Sequence, residues 1–271
     1  MGFDLATVGD NCIDRYLPPV GLSCVGGNAV NVAVHLARAG HRTAYFGAVG
    51  DDAAGQRVAH GLGANRLDLA GLRILPGATT AHTDIATHAD GEREMVFEDF
   101  GACRGYRPGA EDLAVLRRKR HVHIGWLDDG GALKAQLALA GIGLSQDLGV
   151  NADPRHLVAD ALSIAFASAG PSTEAASALL QSALAAGAGI AVVTCGRLGS
   201  RASDGRQTVA VEALPVAVTD TTGAGDSFIA GFIDAHLHGR DLAACLAAGR
   251  DLAALTCGHF GGFPQIAGDL P

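Results

Sequence analysis

The sequence predicts an α/β domain wound on both faces of a largely parallel sheet, and three observations carry that expectation. Short apolar runs alternate with amphipathic or alanine-rich runs of helical length along most of the chain. One of them, Gly189-Ile190-Ala191-Val192-Val193-Thr194, is apolar throughout its interior, as a strand in the middle of a parallel sheet must be. Two glycine-rich stretches, at 26–31 and 220–226, each open into an apolar helical run. With 271 residues, 48% of them hydrophobic and 18% charged, the chain can bury one such core and carry a small appendage.

The elements follow in order. Leu5-Ala6-Thr7-Val8-Gly9 reads as a strand ending at Asp10-Asn11, and Asn28 to Gly40 as a helix with Val30, Val34 and Leu36 or Ala37 on one face. Arg42 to Val49 is a second strand, Asp52 to Ala64 a helix, His121 to Trp126 a strand and Leu133 to Leu139 a short helix. Gly149 to Asp153 is expected to end a further strand, followed by a strand at Ser163–Ala167 and a helix at Ser172–Gly187. Residues 12–21 and 77–101 break the alternation. Thr80, His82, Asp84 and Ala86 alternate there, before Glu94-Met95-Val96-Phe97-Glu98, so both segments are expected to form a small β lid on a single domain spanning 1–271.

Composition narrows the function. A net charge of −8 leaves no basic surplus for nucleic acid, and the one basic run, Arg117-Arg118-Lys119-Arg120, suits the end of a helix. No apolar stretch approaches the ~20 residues of a membrane span, and the N-terminus lacks the charged and apolar regions of a secretory signal. The cysteines at 12, 24, 103, 195, 245 and 257 show no paired spacing, and a cytoplasmic location with free thiols is expected. His121-x-His123 and His236-x-His238 lack companions at zinc spacing. Lys119 and Lys134 are the only lysines and neither follows a glycine-rich loop, so the Walker pattern is absent. If the protein handles ATP, backbone amides, arginine and magnesium must hold the phosphates.

Asp220-Thr221-Thr222-Gly223-Ala224-Gly225-Asp226 is the most informative stretch. Small residues leave the amides of a helix N-terminus uncovered for an anion, and Asp226 stands where it can take a proton from a nucleophile attacking that anion. A turn with Asp226 as a helix cap is the plainer alternative. The second motif, Gly26-Gly27-Asn28-Ala29-Val30-Asn31, puts two amides one helical turn apart, and with the strand-end carboxylate Asp10 these suit the hydroxyls of a sugar. Here the plainer alternative is that Asn28 only caps its helix.

Together with Gly47-x-x-Gly50-Asp51-Asp52, the two motifs resemble the phosphofructokinase-B/ribokinase family of sugar kinases over nearly the whole chain. Gly9 to Asp14, Gly26 to Val34, Phe166-Ala167-Ser168 and Gly225 to Phe232 are most similar to the branch that acts on fructoselysine at its 6-position. The resemblance implies a ribokinase-like three-layer α/β/α fold and ATP-dependent phosphorylation of a primary hydroxyl. Asp226 is implied as the base, and the amides of Gly223, Ala224 and Gly225 as the anion hole. Asp10, Gly26, Gly27, Asn28 and Asn31 are implied as sugar ligands, and Thr194, Gly196, Gly199 and Thr222 as part of the nucleotide site. Asp220 and Thr222 fall where some members coordinate K⁺. The family's Asn-x-x-Glu supports Mg²⁺; here the region reads Ser168 to Glu174, with Glu174 the candidate acid and no asparagine.

An amine-linked sugar needs an acid near its cationic nitrogen, for which Asp99, Glu98 and Asp14 are candidates. A kinase of ribose, ketodeoxygluconate or a nucleoside such as adenosine fits the same motifs, and a non-catalytic sugar-binding regulator has no use for the base at Asp226. A dinucleotide oxidoreductase lacks its G-x-G-x-x-G after the first strand. The lid strands are candidates to pair across a two-fold axis, giving a homodimer.

Overall fold

Leu5 and Ala6 are adjacent, both fully buried, and belong to different cores, which is the pleat of a strand covered on both faces. They lie in β1 (Asp4–Val8) of a computed structural model that describes residues 2–87 and 93–270. The chain continues through β2 (Cys12–Tyr16), β3 (Leu22–Gly26), α1 (Asn28–Arg38), β4 (Arg42–Gly50), α2 (Ala53–Ala64), β5 (Asp68–Leu75), β6 (His82–Thr87) and β7 (Arg93–Asp99). Next come α3 (Ala110–Leu116), β8 (His121–Ile124), α4 (Ala132–Ala138), β9 (Gly143–Asp147), β10 (Ile164–Ser168), α5 (Thr173–Ala185) and β11 (Ile190–Thr194). β12 (Ser200–Ser203), β13 (Thr208–Val211), α6 (Ala224–Leu237), α7 (Leu242–Thr256) and β14 (Gly268–Asp269) complete it.

The main sheet has nine strands in the order β13-β12-β11-β10-β9-β8-β1-β4-β5. It is parallel from β11 to β5, with β12 and β13 antiparallel at one edge. One face packs Val8, Phe46, Val122 and Ile124 against Leu116, Leu133 and Leu137 of α3 and α4 and their neighbours. The other packs Leu5, Phe166 and Val192 against Val32 and Leu36 of α1, Phe232 and Ile233 of α6 and Leu246 of α7. The chain builds outward from β1 through β4 to β5, then returns to add β8 on the other side. The strand order therefore reverses between β1 and β8, and the crevice beyond their carboxyl ends is where such sheets bind ligands.

A second sheet, β14-β3-β2-β6-β7, stands beside this core. The expected lid segments supply β2, β6 and β7, although residues 88–92 of the second segment lie outside the described residues. Two of its strands were not expected. β3 occupies the approach to Gly26, and β14 pairs only Gly268 and Asp269 with Ser23 and Leu22. The strand placed at 149–153 is also corrected: β9 ends at Asp147. Its interior Ser145 and Gln146 are polar yet buried, because Ser145 is bonded by His121 and His123 across the strands and Gln146 donates to the His156 carbonyl. Arg117 caps α3, so the basic run does end a helix. Among the described residues no helix is long and apolar enough to cross a membrane.

Candidate active site

Asp10 follows β1 at the reversal point, and its carboxylate serves the backbone. It accepts from the amides of Asn28 (2.8 Å), Ala29 (3.2 Å) and Trp126 (3.1 Å), which caps α1 and ties the ends of β1 and β8 together. Gly27 offers no side-chain cap; its φ of 107° and its approach to the Asn11 backbone admit only glycine. Gly26 is similarly constrained, since a Cβ there would collide with the Asp14 carboxylate.

With its N-terminus fixed, α1 presents Asn28 and Asn31 to the first turn of α6. Asn28 Nδ2 and Asn31 Nδ2 each donate to one oxygen of Asp226, both at 2.7 Å. Asn28 Nδ2 also reaches Asp147 Oδ2 at 3.1 Å. The orientation of the Asn28 amide is set from behind. His123 Nε2–H donates to Asn28 Oδ1 (3.3 Å), His123 Nδ1 accepts from Ser145 Oγ (2.9 Å), and Ser145 Oγ accepts from His121 Nε2–H (2.8 Å). Burial pushes both imidazoles down to about 3, so they are neutral and the chain of donors runs toward Asp226. Asn31 Oδ1 is buried without a hydrogen-bond partner among the described residues.

Four carboxylates crowd this crevice. Burial pushes Asp10 up to about 6 and Asp14 and Asp147 up to about 7, with the charge of Asp226 adding to each. Burial also raises Asp226, against the two amide hydrogen bonds that favour its charged form. A carboxyl whose affinity for a proton is raised in this way is suited to act as a proton acceptor. Asp147 carried no sequence signal as a site residue, because the strand it ends was misplaced.

Beside Asp147 a cavity of about 770 Å³ extends along the ends of β10 and β11. Thr194, Gly196 and Gly199 line one wall, Val216 and Ala253 another, and Ala224 and Gly225 close it at the start of α6. Arg197 and Arg250 also face it, and neither lysine does. Lys134 is bonded instead to Asp160 (2.5 Å) and the Val158 carbonyl. Gly223 adopts φ 73° at the α6 N-cap, and the Ala224 amide turns back to the Thr221 carbonyl at 3.2 Å. The amides of Gly225 and Asp226 follow in the first turn, where a helix supplies no acceptor of its own.

The structure draws other expected residues away from the cavity. Glu174 is exposed in the first turn of α5 and is not on the cavity wall. Asp99 accepts from the Gly101 amide at 3.0 Å, next to Phe100, whose ring stacks on Trp126 at 3.9 Å. Thr222 donates through its hydroxyl (2.9 Å) and amide (3.1 Å) to Asp220, while Thr221 lines the cavity in its place. Asp220 is fully enclosed by donors, including the Tyr16 hydroxyl and the Gly261 amide at 2.9 Å.

The chain is similar to known proteins over nearly its whole length. A fructoselysine 6-kinase of Shigella flexneri is 36% identical over 261 residues, covering 95% of this chain and 98% of that protein. A fructosamine kinase of Bacillus subtilis is 29% identical, covering 96% and 92%. The fold matches that of Arabidopsis thaliana ribokinase complexed with ribose and ATP, with a TM-score of 0.85, 24% identity and coverage of 96% and 94%. The expected ribokinase-like fold is therefore found. The pfkB family carbohydrate kinase model matches residues 23–124 and 159–265, and together with the identity to the Shigella protein this shows that the chain belongs to the pfkB family of carbohydrate kinases.

Proposed function

We propose that the protein transfers the γ-phosphoryl group of ATP to the 6-hydroxyl of a fructosamine such as fructoselysine, with Asp226 as general base. One observation carries the chemistry: a carboxyl raised by burial is clamped through both oxygens by Asn28 and Asn31 beside the first amides of α6. Asp226 accepts the proton of the attacking hydroxyl as the oxygen–phosphorus bond forms in line with departure of ADP. The Gly225 amide and the α6 N-terminus face the charge on the transferring group, while the turn at Gly223 and Ala224 holds them in place. The long apolar-walled cavity suits the adenine and ribose, and Arg197 and Arg250 suit the phosphates.

Asp147 is the better fit for Mg²⁺ among the acids considered. It ends β9 on the cavity wall beside Asp226, and a divalent ion would relieve the repulsion between these buried carboxylates. Bound there with the nucleotide, Mg²⁺ would neutralise phosphate charge. Glu174, in its exposed position, would act only by a side-chain or loop movement. The amine of the substrate is assigned to the acids at the lid boundary, Asp14 and Asp99, while Asp10 contributes by holding α1. The identity to fructoselysine and fructosamine kinases supports this choice of sugar. A homodimer through the lid edge and a cytoplasmic location belong to the same reading, and six free cysteines support the second.

The test is ADP release with magnesium–ATP across fructoselysine, other fructosamines, fructose, ribose, ketodeoxygluconate and adenosine. Preference for an amine-linked sugar is expected. Asp226→Asn, nearly isosteric but unable to take the proton, is expected to lose roughly 10²–10⁴-fold in kcat with little change in KM. An Asp226→Asn protein that kept most of its turnover would remove Asp226 from the mechanism.

A further inference from the structure

The resemblance places K⁺ at Asp220, and the residues found there do not fit a cation. Asp220 Oδ1 accepts from the Thr222 amide, the Thr222 hydroxyl and Arg93 Nε (3.3 Å). Asp220 Oδ2 accepts from the Tyr16 hydroxyl and the Gly261 amide. Both oxygens are thus occupied by donors, and a positive charge is already present. The Arg93 side chain is only 12% exposed and that of Asp220 0%, so the pair is shielded from water.

Arg93 is built into its position. Its Nη2 donates to the Thr219 carbonyl at 2.7 Å, its Nη1 to the Thr87 hydroxyl, and its guanidinium lies over the rings of Tyr16 (6.0 Å) and Phe260 (5.6 Å). Thr87 and Arg93 pair across β6 and β7, and Tyr16 ends β2, so these anchors belong to the lid. Thr219 and Asp220 lead directly into the turn that presents Gly223 to Asp226. One lid side chain therefore neutralises, and braces, the loop on which the α6 amides depend.

We propose that Arg93 is a positioning residue that supplies from the lid the positive charge a monovalent ion would otherwise supply at Asp220, so that turnover needs no K⁺. This rests on the kinase reading of the 220–226 loop. A potassium ion exchanges with solvent, whereas Arg93 is tied to the lid, so the shape of the phosphate loop is coupled to the lid strand instead of to the salt.

The experiment compares turnover in KCl, NaCl and tetramethylammonium chloride at equal ionic strength, with substrate-free melting in the same salts. Wild-type kcat and Tm are expected to be the same in all three. Arg93→Ala is expected to lose about 10–100-fold in kcat, the loss of hydrogen bonds to a charged group, with KM for the sugar little changed. Low concentrations of guanidinium chloride should restore part of that rate where tetramethylammonium does not, and Arg93→Lys should retain more of it than Arg93→Ala. Saturable K⁺ activation of the wild type, a K⁺-specific rise in its Tm, a folded Arg93→Ala protein with wild-type kcat, or one that guanidinium does not restore would each overturn the proposal. If every acceptor on the panel is silent, the sugar-kinase reading fails separately, and the melting comparison still decides the ion question.

Discussion

Asp14 is 5% exposed, accepts among the described residues only from the Cys12 thiol at 3.1 Å, and faces a glycine because no side chain would fit against it. Its neighbours Cys12 and Tyr16 supply no cation, and Asp226, Asp220 and Asp10 all oppose its ionisation after burial itself. A carboxyl at about 7 in the fold and near 4 in the unfolded chain contributes stability below pH 4, and that contribution is lost as pH rises to 7. Asp14→Asn mimics the protonated form. The variant and the wild type are therefore expected to melt alike near pH 4, with the variant pulling ahead up to pH 7 by on the order of 4 kcal/mol at most. Ligand-free melting curves at several pH values check this, and a pH-independent difference between the two proteins would refute it. The same environment suits an ammonium group, since a cation beside Asp14 restores its ionised form. Asp14 was visible in the sequence only as one acid among several, because nothing local marks which carboxyls become buried.

At the scale of elements, the turn into α6 is the most constrained feature of the site. Gly223 combines φ 73° with an approach to the Gly262 backbone that leaves no room for a Cβ. Gly223→Ala is expected to cost about 1–2 kcal/mol from the left-handed backbone alone. The displaced α6 amides should lower kcat toward the roughly 100-fold cost of losing one anion-hole donor. Melting and steady-state kinetics measure the two effects, and normal kinetics in a destabilised protein would separate the turn from catalysis. This element was legible because its signal is contiguous: Gly223, Ala224 and Gly225 followed by an apolar run state both the backbone and the helix. The same holds for α1, α2 and β11. β3 and β14 were not legible, since each depends on a partner far away in sequence, with Gly268 and Asp269 paired to Ser23 and Leu22. β9 failed for another reason. Gly143-Leu144-Ser145-Gln146-Asp147 lacks an apolar run, and its polar residues are acceptable inside only because His121, His123 and the His156 carbonyl meet them. That misplacement hid Asp147, while Asn28 and Asn31, which lie 198 and 195 positions before Asp226, meet it in one site, as the family resemblance implied.

In the whole molecule, the lid is tied to the catalytic body by side chains, and its edge strand β7 has no strand on its outer side among the described residues. The lid is anchored to the body through Tyr16 of β2 and Arg93 at the start of β7, which both bond Asp220, and through Arg57, whose guanidinium bonds Ser23 on β3. Its outer strand β7 ends the sheet order, leaving one row of backbone groups without a strand beside it among the described residues. On that strand Met95 is 62% exposed, Val96 47% and Phe97 53%, an apolar run on an open edge that a monomer would be expected to blunt. A second copy approaching about a two-fold axis would present the same strand, pair edge to edge and set the three side chains beside their own counterparts. The protein is therefore expected to sediment at twice its 27.4 kDa mass, and a Met95→Lys, Phe97→Lys double variant to sediment as the monomer, because like charges would face each other across the axis. Sedimentation equilibrium measures both masses. A wild type that remains at 27.4 kDa at high concentration would instead leave β7 as a free edge, with lid position set within one chain through Tyr16, Arg57 and Arg93.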